Sequence, residues 1–411
     1  MKISTVKGTR DFLPREAKLR THLQNTILSV YEKAGFEQII TPILEDIENL
    51  NKSDGGENLN LLFKILKRGS KLDKALEGGK DDDLTDLGLR YDLTLPLSRY
   101  YANNKEKLLL PMKCIQIDRV YRAERPQKGR LREFVQCDID IIGSSSIYSE
   151  IELIDVTAKA LLAIGITDFI VHINDRSVLK LLLLNLGFQE EQMDSLCISF
   201  DKLDKIGIDG MKKELEEKQM SEIGIKNLIE VLSNGTITLD YLKEIENARE
   251  IVERLEKIIN ITTALAQGQY SVQFDISLIR GQGYYTGSVF EIRSKKYNGS
   301  IAGGGRYDNL IGKFIKEKTP AVGFSIGFER IFELLLADRE EVMRHQKKKI
   351  AVFFDADDYV AAKRFAAEKF ADYNVSLMEK PEKFNKYLSR LQEQEYKGFF
   401  VFGKSEEITL F

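Results

Sequence analysis

The sequence has few of the features that mark secreted, metal-binding or membrane proteins. Its three cysteines, Cys114, Cys137 and Cys197, are widely spaced, so they predict neither a disulfide framework nor a Cys/His zinc site. No apolar run approaches the roughly 20 residues of a membrane helix, and the opening MKISTVKGTR lacks the apolar segment of a secretory signal. We therefore expect a cytoplasmic protein with reduced thiols and no membrane partner.

A strong excess of positive charge is also absent. The formal net charge is −3, with 61 Lys and Arg against 64 Asp and Glu, whereas a protein that coats DNA is usually basic. We therefore expect no DNA partner. A local basic patch is enough to contact RNA phosphates, so the composition leaves an RNA partner open.

The length of 411 residues predicts two or three domains. Near the start, apolar residues at helical spacing predict a helix over 15–34. The segment 36–45 is typical of a strand, and Pro42 within it lacks a backbone donor, which predicts an edge or interface position. The polar stretch 51–86 predicts a loop.

The following segments predict an antiparallel sheet and its flanking helices. Two segments, 87–101 and 133–143, alternate in part, and turn signals bound both of them and the segment 114–126. All three are predicted to be antiparallel strands of one sheet. Further strands are predicted at 270–279, 286–293 and 321–326. Helices are predicted at 150–165 and 327–344.

Changes in pattern also predict the domain organisation. The stretch 176–268 has helical spacing and predicts a helical insertion, and strands and helices alternate after the linker 345–349, as in a small α/β domain. We expect a catalytic core, a helical insertion, the continued core and a shortened C-terminal α/β domain. Their expected bounds are 1–170, 171–268, 269–344 and 345–411.

One basic motif, RVYRAERPQKGRLREFVQ (119–136), carries residue types suited to polyphosphate. Its guanidinium groups flank a turn between two predicted strands, and guanidinium binds phosphate oxygens in a bidentate manner. Taken alone, the motif is more typical of a solvated basic hairpin. Its cationic residues are Arg122, Arg125, Lys128, Arg130 and Arg132.

Three glycine-bearing motifs follow. GFSIGFER (323–330) predicts a strand-to-helix junction that ends in Glu329 and Arg330, and alone it fits a surface arginine. LIRGQGYYTGSVFE (278–291) and IAGGGRYDNLIG (301–312) contain glycines that permit close approach of a ligand. Each of these two also fits a tight turn.

In this order, the motifs resemble those of the class II aminoacyl-tRNA synthetases. Arg122 in its hairpin resembles motif 2, Arg330 resembles motif 3, and the segment around Pro42 resembles motif 1, the dimer-forming element. Other segments resemble the histidine-specific family in particular. They are KGTRDFLP (7–14), LRYDLTLP (89–96), ERPQKGR (124–130), RGQGYYTG (280–287) and AGGGRYD (302–308).

The resemblance implies an α+β fold with an antiparallel sheet flanked by helices. It also implies a homodimeric enzyme that uses ATP and Mg²⁺ to form histidyl-adenylate and then charges tRNA(His). The catalytic residues implied are Arg122 and Arg280. The ATP-binding residues implied are Arg122, Glu124, Arg130 and Arg330. The histidine-binding residues implied are Asp92, Thr94, Gln136, Asp140, Tyr284 and Tyr285. The implied contacts with the tRNA acceptor end are Arg125 and Gln127, and no metal site made by protein ligands alone is implied.

Two alternatives remain open at this point. One is a non-catalytic paralogue that regulates ATP phosphoribosyltransferase in histidine biosynthesis, and the other is a partner-binding paralogue that keeps only the fold. The complete set Arg122, Arg280 and Arg330 favours the ligase, as does the α/β tail. The short tail and Gly283, where many relatives have Asp, keep the regulator as the main alternative.

Overall fold

The computed structural model describes most of the chain and divides it into two units, Met1–Arg339 and Glu340–Phe411. The described residues are 3–52, 60–78, 84–126, 130–200, 202–235, 237–279, 284–297, 299–343 and 346–411. Within them, no helix combines the length and the apolarity that crossing a bilayer would need.

The first unit contains both strands and helices. Its strands are β1 (Glu37–Gln38), β2 (Leu44–Asp46), β3 (Phe63–Leu66), β4 (Thr85–Leu89), β5 (Met112–Tyr121), β6 (Glu133–Ile142), β7 (Phe169–Asp175), β8 (Ser271–Phe274), β9 (Ser288–Ser294), β10 (Ser300–Arg306) and β11 (Ala321–Gly327). Its helices are α1 (Pro14–Lys33), α2 (Ile47–Leu50), α3 (Ser70–Gly78), α4 (Thr94–Asn104), α5 (Tyr148–Ala163), α6 (Arg176–Asn185), α7 (Met193–Phe200), α8 (Leu203–Glu217), α9 (Glu222–Ser233), α10 (Leu239–Lys243), α11 (Arg249–Ala266), α12 (Gly312–Ile315) and α13 (Phe328–Leu336). The short helix α14 (Arg339–Val342) follows.

An eight-stranded sheet carries the first unit, in the order β1-β5-β6-β11-β10-β9-β7-β8. Its neighbours pair antiparallel, except for the parallel pairs β1·β5 and β7·β8. Helix α5 packs against α1 and β11. The predicted α+β fold, with an antiparallel sheet flanked by helices, is confirmed.

Helix α1 forms as its sequence predicts. Leu19, Leu23, Ile27 and Tyr31 are buried at four-residue spacing, so they form one apolar stripe. Pro14 occupies the first helical position, where its missing N–H costs nothing. The predicted helix 15–34 is confirmed, and the predicted helix 150–165 corresponds to α5.

The single strand predicted at 36–45 is wrong. Pro42 lies between β1 and β2, and these strands belong to two different sheets, because β2 joins a three-stranded sheet of order β2-β4-β3. The loop predicted at 51–86 is also wrong where the structure describes it, since β3, α3 and the start of β4 lie there. Half-buried Phe63 and Ile65 alternate with exposed neighbours, a pattern that the surrounding charges obscure.

The strand predicted at 87–101 is wrong beyond Leu89. The chain turns and α4 begins at Thr94, because the Asp92 Oδ1 atom accepts a hydrogen bond from the Leu95 amide at 3.1 Å. Pro96 is tolerated there, since the first helical turn needs no intrahelical donor. In addition, β4 pairs in the three-stranded sheet and lies outside the main one.

The glycine cluster at Gly303–Gly305 lies within β10, between β9 and β11, in the interior of the main sheet. The tight-turn interpretation is therefore wrong for this cluster. A Cβ atom on Gly304 would overlap the carbonyl oxygen of Gly323, and one on Gly323 would overlap Asp140 Oδ1. Glycine is needed here for close approach between strands.

Helices α6 to α11 lie between β7 and β8 and share a buried core. Strand β7 itself was not predicted. Its last residue, Asp175, caps α6 by accepting a hydrogen bond from the Ser177 amide at 2.8 Å. The helix predicted at 327–344 is interrupted, because α13 ends at Leu336 and α14 starts at Arg339.

The second unit has the predicted alternation of strands and helices. Its elements are β12 (Lys349–Phe354), α15 (Tyr359–Lys369), β13 (Asn374–Glu379), α16 (Phe384–Glu393), β14 (Gly398–Val401) and β15 (Thr409–Leu410). The sheet order is β13-β12-β14-β15, with β12 parallel to β13 and β14. Ile350 and Val352 pack on one face with Phe370, and Phe353 packs on the other with Leu391.

Candidate functional site

Strand β6 supplies three polar side chains to one face of the main sheet. Gln136, Asp138 and Asp140 are two residues apart, so they point to the same side. They lie opposite Gly327, Ser325 and Gly323 of β11. Asp138 and Asp140 are only 4% and 3% exposed, so this face holds two buried carboxyl groups.

Asp92 adds a third buried carboxyl group from the turn before α4. It is 2% exposed, and its Oδ2 atom has no hydrogen-bond partner among the described residues. Burial raises the pKa of Asp92 to about 6, although the Leu95 amide and the nearby Arg122 charge lower it. An acceptor of this kind suits a cationic ligand, because leaving it unpaired is costly.

Arg122 joins this turn to the β5–β6 hairpin. Its Nε atom donates to the Tyr91 carbonyl at 3.0 Å, and its amide donates to the Arg132 carbonyl at 2.9 Å. The guanidinium lies 5.0 Å from the centre of the Phe134 ring. Its charge also favours the ionised form of Asp138. Arg122 therefore lies at the edge of the acidic group, which consists of Asp92, Asp138 and Asp140.

Asp140 is held by a tyrosine that the sequence did not identify. The Tyr307 hydroxyl donates to Asp140 Oδ1 at 2.6 Å. Burial raises the pKa of Asp140 to about 7, with a contribution from Asp92, although the Tyr307 hydrogen bond lowers it. Burial and the neighbouring Asp140 raise the pKa of Asp138 well above its ordinary value.

The two predicted tyrosines lie beside these carboxyl groups. The Tyr284 ring makes edge contacts with Tyr285 at 5.0 Å and with Tyr307 at 6.0 Å. The Tyr284 side chain is buried and hydrogen-bonded to Thr94. Arg176 donates to the Tyr285 carbonyl at 3.1 Å, which anchors the segment that carries both tyrosines.

The amide of Gln136 is also oriented. Its Nε2 atom donates to Ser325 Oγ at 2.9 Å, and its buried Oε1 atom has no hydrogen-bond partner among the described residues. Gln136 Oε1 and Asp92 Oδ2 are thus two buried oxygen atoms of the site that can accept a hydrogen bond and have no partner among the described residues.

The start of α13 places Arg330 near the edge of the sheet. Arg330 donates to the Ser300 carbonyl. The preceding residue, Glu329, is buried and pairs with Arg20 through two hydrogen bonds of 2.5 and 2.8 Å. Glu329 also accepts from the Val135 amide at 3.2 Å, so this pair ties α1, β6 and α13 together.

The hairpin loop carries the remaining predicted residues. Glu124 is half-buried and lies 3.9 Å from Arg130, while Arg125 and Arg130 are exposed. Arg280 and Gln127 lie outside the described residues. In the described part of the chain, no group of three or more His, Cys, Asp or Glu side chains could hold a metal ion by itself.

The residues predicted for a histidine pocket are linked through direct contacts or common neighbours. Thr94 contacts Tyr284, Tyr284 contacts Tyr285 and Tyr307, and Tyr307 contacts Asp140. Sequence reasoning missed Asp138, Ser325 and Tyr307. Two of them had an available signal. Asp138 lies two residues from both Gln136 and Asp140, on the same face of a strand, and Tyr307 is part of the AGGGRYD motif. No sequence signal pointed to Ser325, because its role depends on strand pairing.

A cavity of about 220 Å³ lies elsewhere, between α1 and the β5–β6 hairpin. It is lined by residues such as Phe12, Arg20, Ile117 and Val135. Asp92, Asp138 and Asp140 are not among its lining residues, so the acidic group is a separate site. The chemistry of that group, with acceptors beside a guanidinium, suits a zwitterionic ligand next to a phosphate.

Comparisons with known proteins agree with this chemistry. A family model described as Histidyl-tRNA synthetase matches residues 8–331. The chain is 42% identical over 357 residues to a histidine–tRNA ligase of Leifsonia xyli subsp. xyli, covering 81% of this chain and 80% of that one. It is 34% identical over 425 residues to a histidine–tRNA ligase of Cytophaga hutchinsonii, covering 98% and 93%.

Solved structures show the same likeness. The crystal structure of a histidyl-tRNA synthetase from Nostoc sp. PCC 7120 aligns with a TM-score of 0.78 at 28% sequence identity. The alignment covers 97% of this chain and 91% of that one. Since the family model spans most of the chain and the relatives align along most of their own length, this protein belongs to the histidyl-tRNA synthetase family.

Proposed function

We propose that this protein activates histidine with ATP and transfers it to the 3′ end of tRNA(His), as a histidine–tRNA ligase. The observation that carries the proposal is the pair of buried acceptors, Asp92 Oδ2 and Gln136 Oε1, on the acidic face beside Arg122. An amino acid's ammonium group needs such acceptors, and its carboxylate must meet the α-phosphate of ATP.

The imidazole ring is proposed to bind between Asp140 and Tyr285, with Tyr284 beside them. Asp140 offers an acceptor whose position Tyr307 fixes. A carboxylate that accepts from one ring nitrogen also selects the tautomer of the ring. Thr94 assists at the ammonium end, because it opens α4 beside Asp92 and contacts Tyr284.

ATP is proposed to bind through its phosphates to the arginines. Arg122 holds the α-phosphate and Arg330 the γ-phosphate, and the sequence adds Arg280 at the α-phosphate. Arg130 and Glu124 lie along the same hairpin loop. The reaction depends on aligning carboxylate and phosphorus and on neutralising charge, so fixed guanidinium groups supply most of what the chain must provide.

Mg²⁺ fits this arrangement as a partner of the ATP phosphates. Magnesium sites commonly use one or two carboxylates with substrate phosphates and water. Glu124 is a half-buried carboxylate on the phosphate-binding hairpin, so it is the residue proposed to hold the ion. When bound, the ion would neutralise the negative charge that the phosphates carry.

The remaining features of the proposal concern tRNA and assembly. Arg125 and Gln127 are proposed to meet the acceptor end, and the segment 345–411 to resemble an anticodon-binding domain. The catalytic core would comprise 1–170 and 269–344, with 171–268 as its helical insertion. A cytoplasmic homodimer is proposed around Pro42, near which Ile40 is 80% exposed.

A regulatory role without catalysis is less well supported. The two relatives aligned above are named as histidine–tRNA ligases, and the arginines expected at the phosphates are present in the sequence. No contact in the described residues favours the regulatory alternative, which we therefore do not adopt.

The test is ATP–pyrophosphate exchange with each of the twenty amino acids, without tRNA. We expect exchange that depends on histidine and is lost in Arg122→Ala, since Arg122 is the proposed α-phosphate ligand. Circular dichroism of the variant would show whether it is still folded. Folded wild-type protein that supports no exchange with histidine would overturn the proposed function.

A further inference from the structure

Gln136 can bind an ammonium group only if its amide has one particular orientation. The side-chain amide has a carbonyl oxygen that accepts hydrogen bonds and a nitrogen that donates them. An ammonium group only donates. If the amide were rotated by half a turn, its N–H groups would face the ligand's N–H groups, and an acceptor would be lost.

Ser325 fixes this orientation across the strand pair. Its Oγ atom accepts from Gln136 Nε2 at 2.9 Å, whereas Asp138 Oδ1 lies at 3.5 Å from the same nitrogen and makes a weaker contact. With the nitrogen taken by Ser325, the carbonyl oxygen of Gln136 is the buried atom that has no hydrogen-bond partner in the described part of the chain.

Asp138 in turn orients the hydroxyl of Ser325. The two residues lie directly opposite each other on β6 and β11, and their side chains are hydrogen-bonded. Ser325 Oγ already accepts from Gln136 Nε2, so its own proton is left for an unprotonated oxygen of Asp138, and a serine lone pair faces Gln136. The result is a directed chain from the Gln136 amide through Ser325 to Asp138.

We infer that Ser325 is a positioning residue for amino-acid recognition: anchored by Asp138, it keeps the Gln136 carbonyl oxygen turned toward the ammonium group of the substrate. This inference rests on the proposed function, because it assigns the ammonium to Gln136 and Asp92. It adds that selectivity for an α-amino group depends on a motif 3 residue that does not touch the substrate.

Ser325→Ala tests the inference in the full-length protein. Without the serine oxygen, the Gln136 nitrogen keeps only its weaker contact with Asp138 Oδ1 among the described residues. The amide is then less firmly oriented, so we expect KM for histidine to rise about tenfold, the scale of one hydrogen bond in a buried site. KM for ATP should stay unchanged. Ser325→Thr restores the hydroxyl and should restore KM for histidine.

Two competitive inhibitors distinguish positioning from a general structural effect. Histidinol has the imidazole and the ammonium but no carboxylate, and imidazolepropionate has the imidazole and the carboxylate but no ammonium. In Ser325→Ala, the inhibition constant of histidinol should rise about as much as KM for histidine. That of imidazolepropionate should not change.

A matched control comes from the same sheet. Ser294 on β9 donates to Asp168 Oδ1 at 3.3 Å, so Ser294→Ala also removes a serine–aspartate hydrogen bond, outside the site. It should leave both inhibition constants at the wild-type values.

Three results would overturn the inference. They are equal weakening of both inhibitors in Ser325→Ala, no change in either, and failure of Ser325→Thr to recover histidinol binding. Failure of the proposed function would look different, because the wild-type protein itself would then show no histidine-dependent exchange.

Discussion

At the scale of single residues, the site depends on carboxyl groups whose pKa values burial raises toward neutral pH. The pKa of Asp92 is raised to about 6 and that of Asp140 to about 7, so both are protonated in acid and ionised above these values. The ionised forms accept hydrogen bonds from ammonium and imidazole, whereas the protonated forms lose acceptor strength. Ligand affinity should therefore follow their titration.

We predict that KM for histidine falls as pH rises from about 5 to about 8, through the ionisation of Asp92 and then Asp140. In Asp140→Asn the upper step should disappear, because an amide does not titrate, while the lower step remains. The imidazole of free histidine titrates in the same range, but this titration of the unbound substrate is common to both proteins and cancels in the ratio of their KM values. A ratio of KM values that is constant with pH would remove Asp140 from the pocket.

The sequence alone led to candidate residues for the proposed pocket, but it did not identify the residues that contact them. Asp92, Gln136 and Asp140 follow from motifs that are local in sequence. Tyr307 and Ser325 act on residues more than a hundred positions away, through the pairing of β10 and β11 with β6. Strand order and register decide such contacts, and a single sequence does not encode them in any local pattern.

At the scale of elements, prediction succeeded where one face of an element is apolar and one is not. The stripe of α1 is one example. Strand β6 is another, because Val135, Cys137 and Ile139 alternate along it with Gln136, Asp138 and Asp140. Prediction failed at α4, because the buried residues Leu93, Leu95 and Leu97 stand at every second position, which is the spacing of a strand with one apolar face. It also failed at β10, where glycine is needed for close packing and resembles a turn.

The ion pair between Arg20 and Glu329 provides a test at this scale. We predict that Arg20→Met lowers the free energy of unfolding by about 3 kcal/mol, because it leaves a buried carboxylate without its cation. KM for ATP should also rise, since Glu329 precedes Arg330 and bonds to the Val135 amide beside Phe134. Thermal unfolding and exchange kinetics would measure the two effects.

Arg99→Met is the matched control for this variant. Arg99 pairs with Glu45 through similar short contacts of 2.7 to 3.0 Å, and Glu45 is likewise buried. This variant should lose stability without a change in KM for ATP. Equal KM values for ATP in Arg20→Met and the wild type would show that the pair only stabilises the fold.

At the scale of the whole molecule, the chain consists of two units with separate cores. The second unit has an apolar cluster on each face of its own sheet, and the alternation that predicts it is visible in the sequence. We predict that ending the chain after Arg339 leaves histidine-dependent exchange within about twofold of the full chain, because the site residues lie in the first unit. Charging of tRNA should fall by at least about tenfold, provided that the tRNA contacts of residues 345–411 contribute at least as much binding free energy as one typical hydrogen bond.

Comparison of exchange and charging in the same truncated protein would separate these effects. Loss of both activities from a folded truncated chain would mean that the second unit supports the catalytic site itself. Full retention of both would mean that residues 345–411 do not contribute to tRNA recognition.

The measurement that tests the central claim most directly is charging of tRNA(His) by the full-length protein, with labelled histidine and ATP. The account predicts that histidine becomes esterified to the 3′ end of tRNA(His), that other tRNAs remain uncharged, and that Arg122→Ala abolishes the product. Folded protein that leaves tRNA(His) uncharged under conditions where a known ligase charges it would contradict the account.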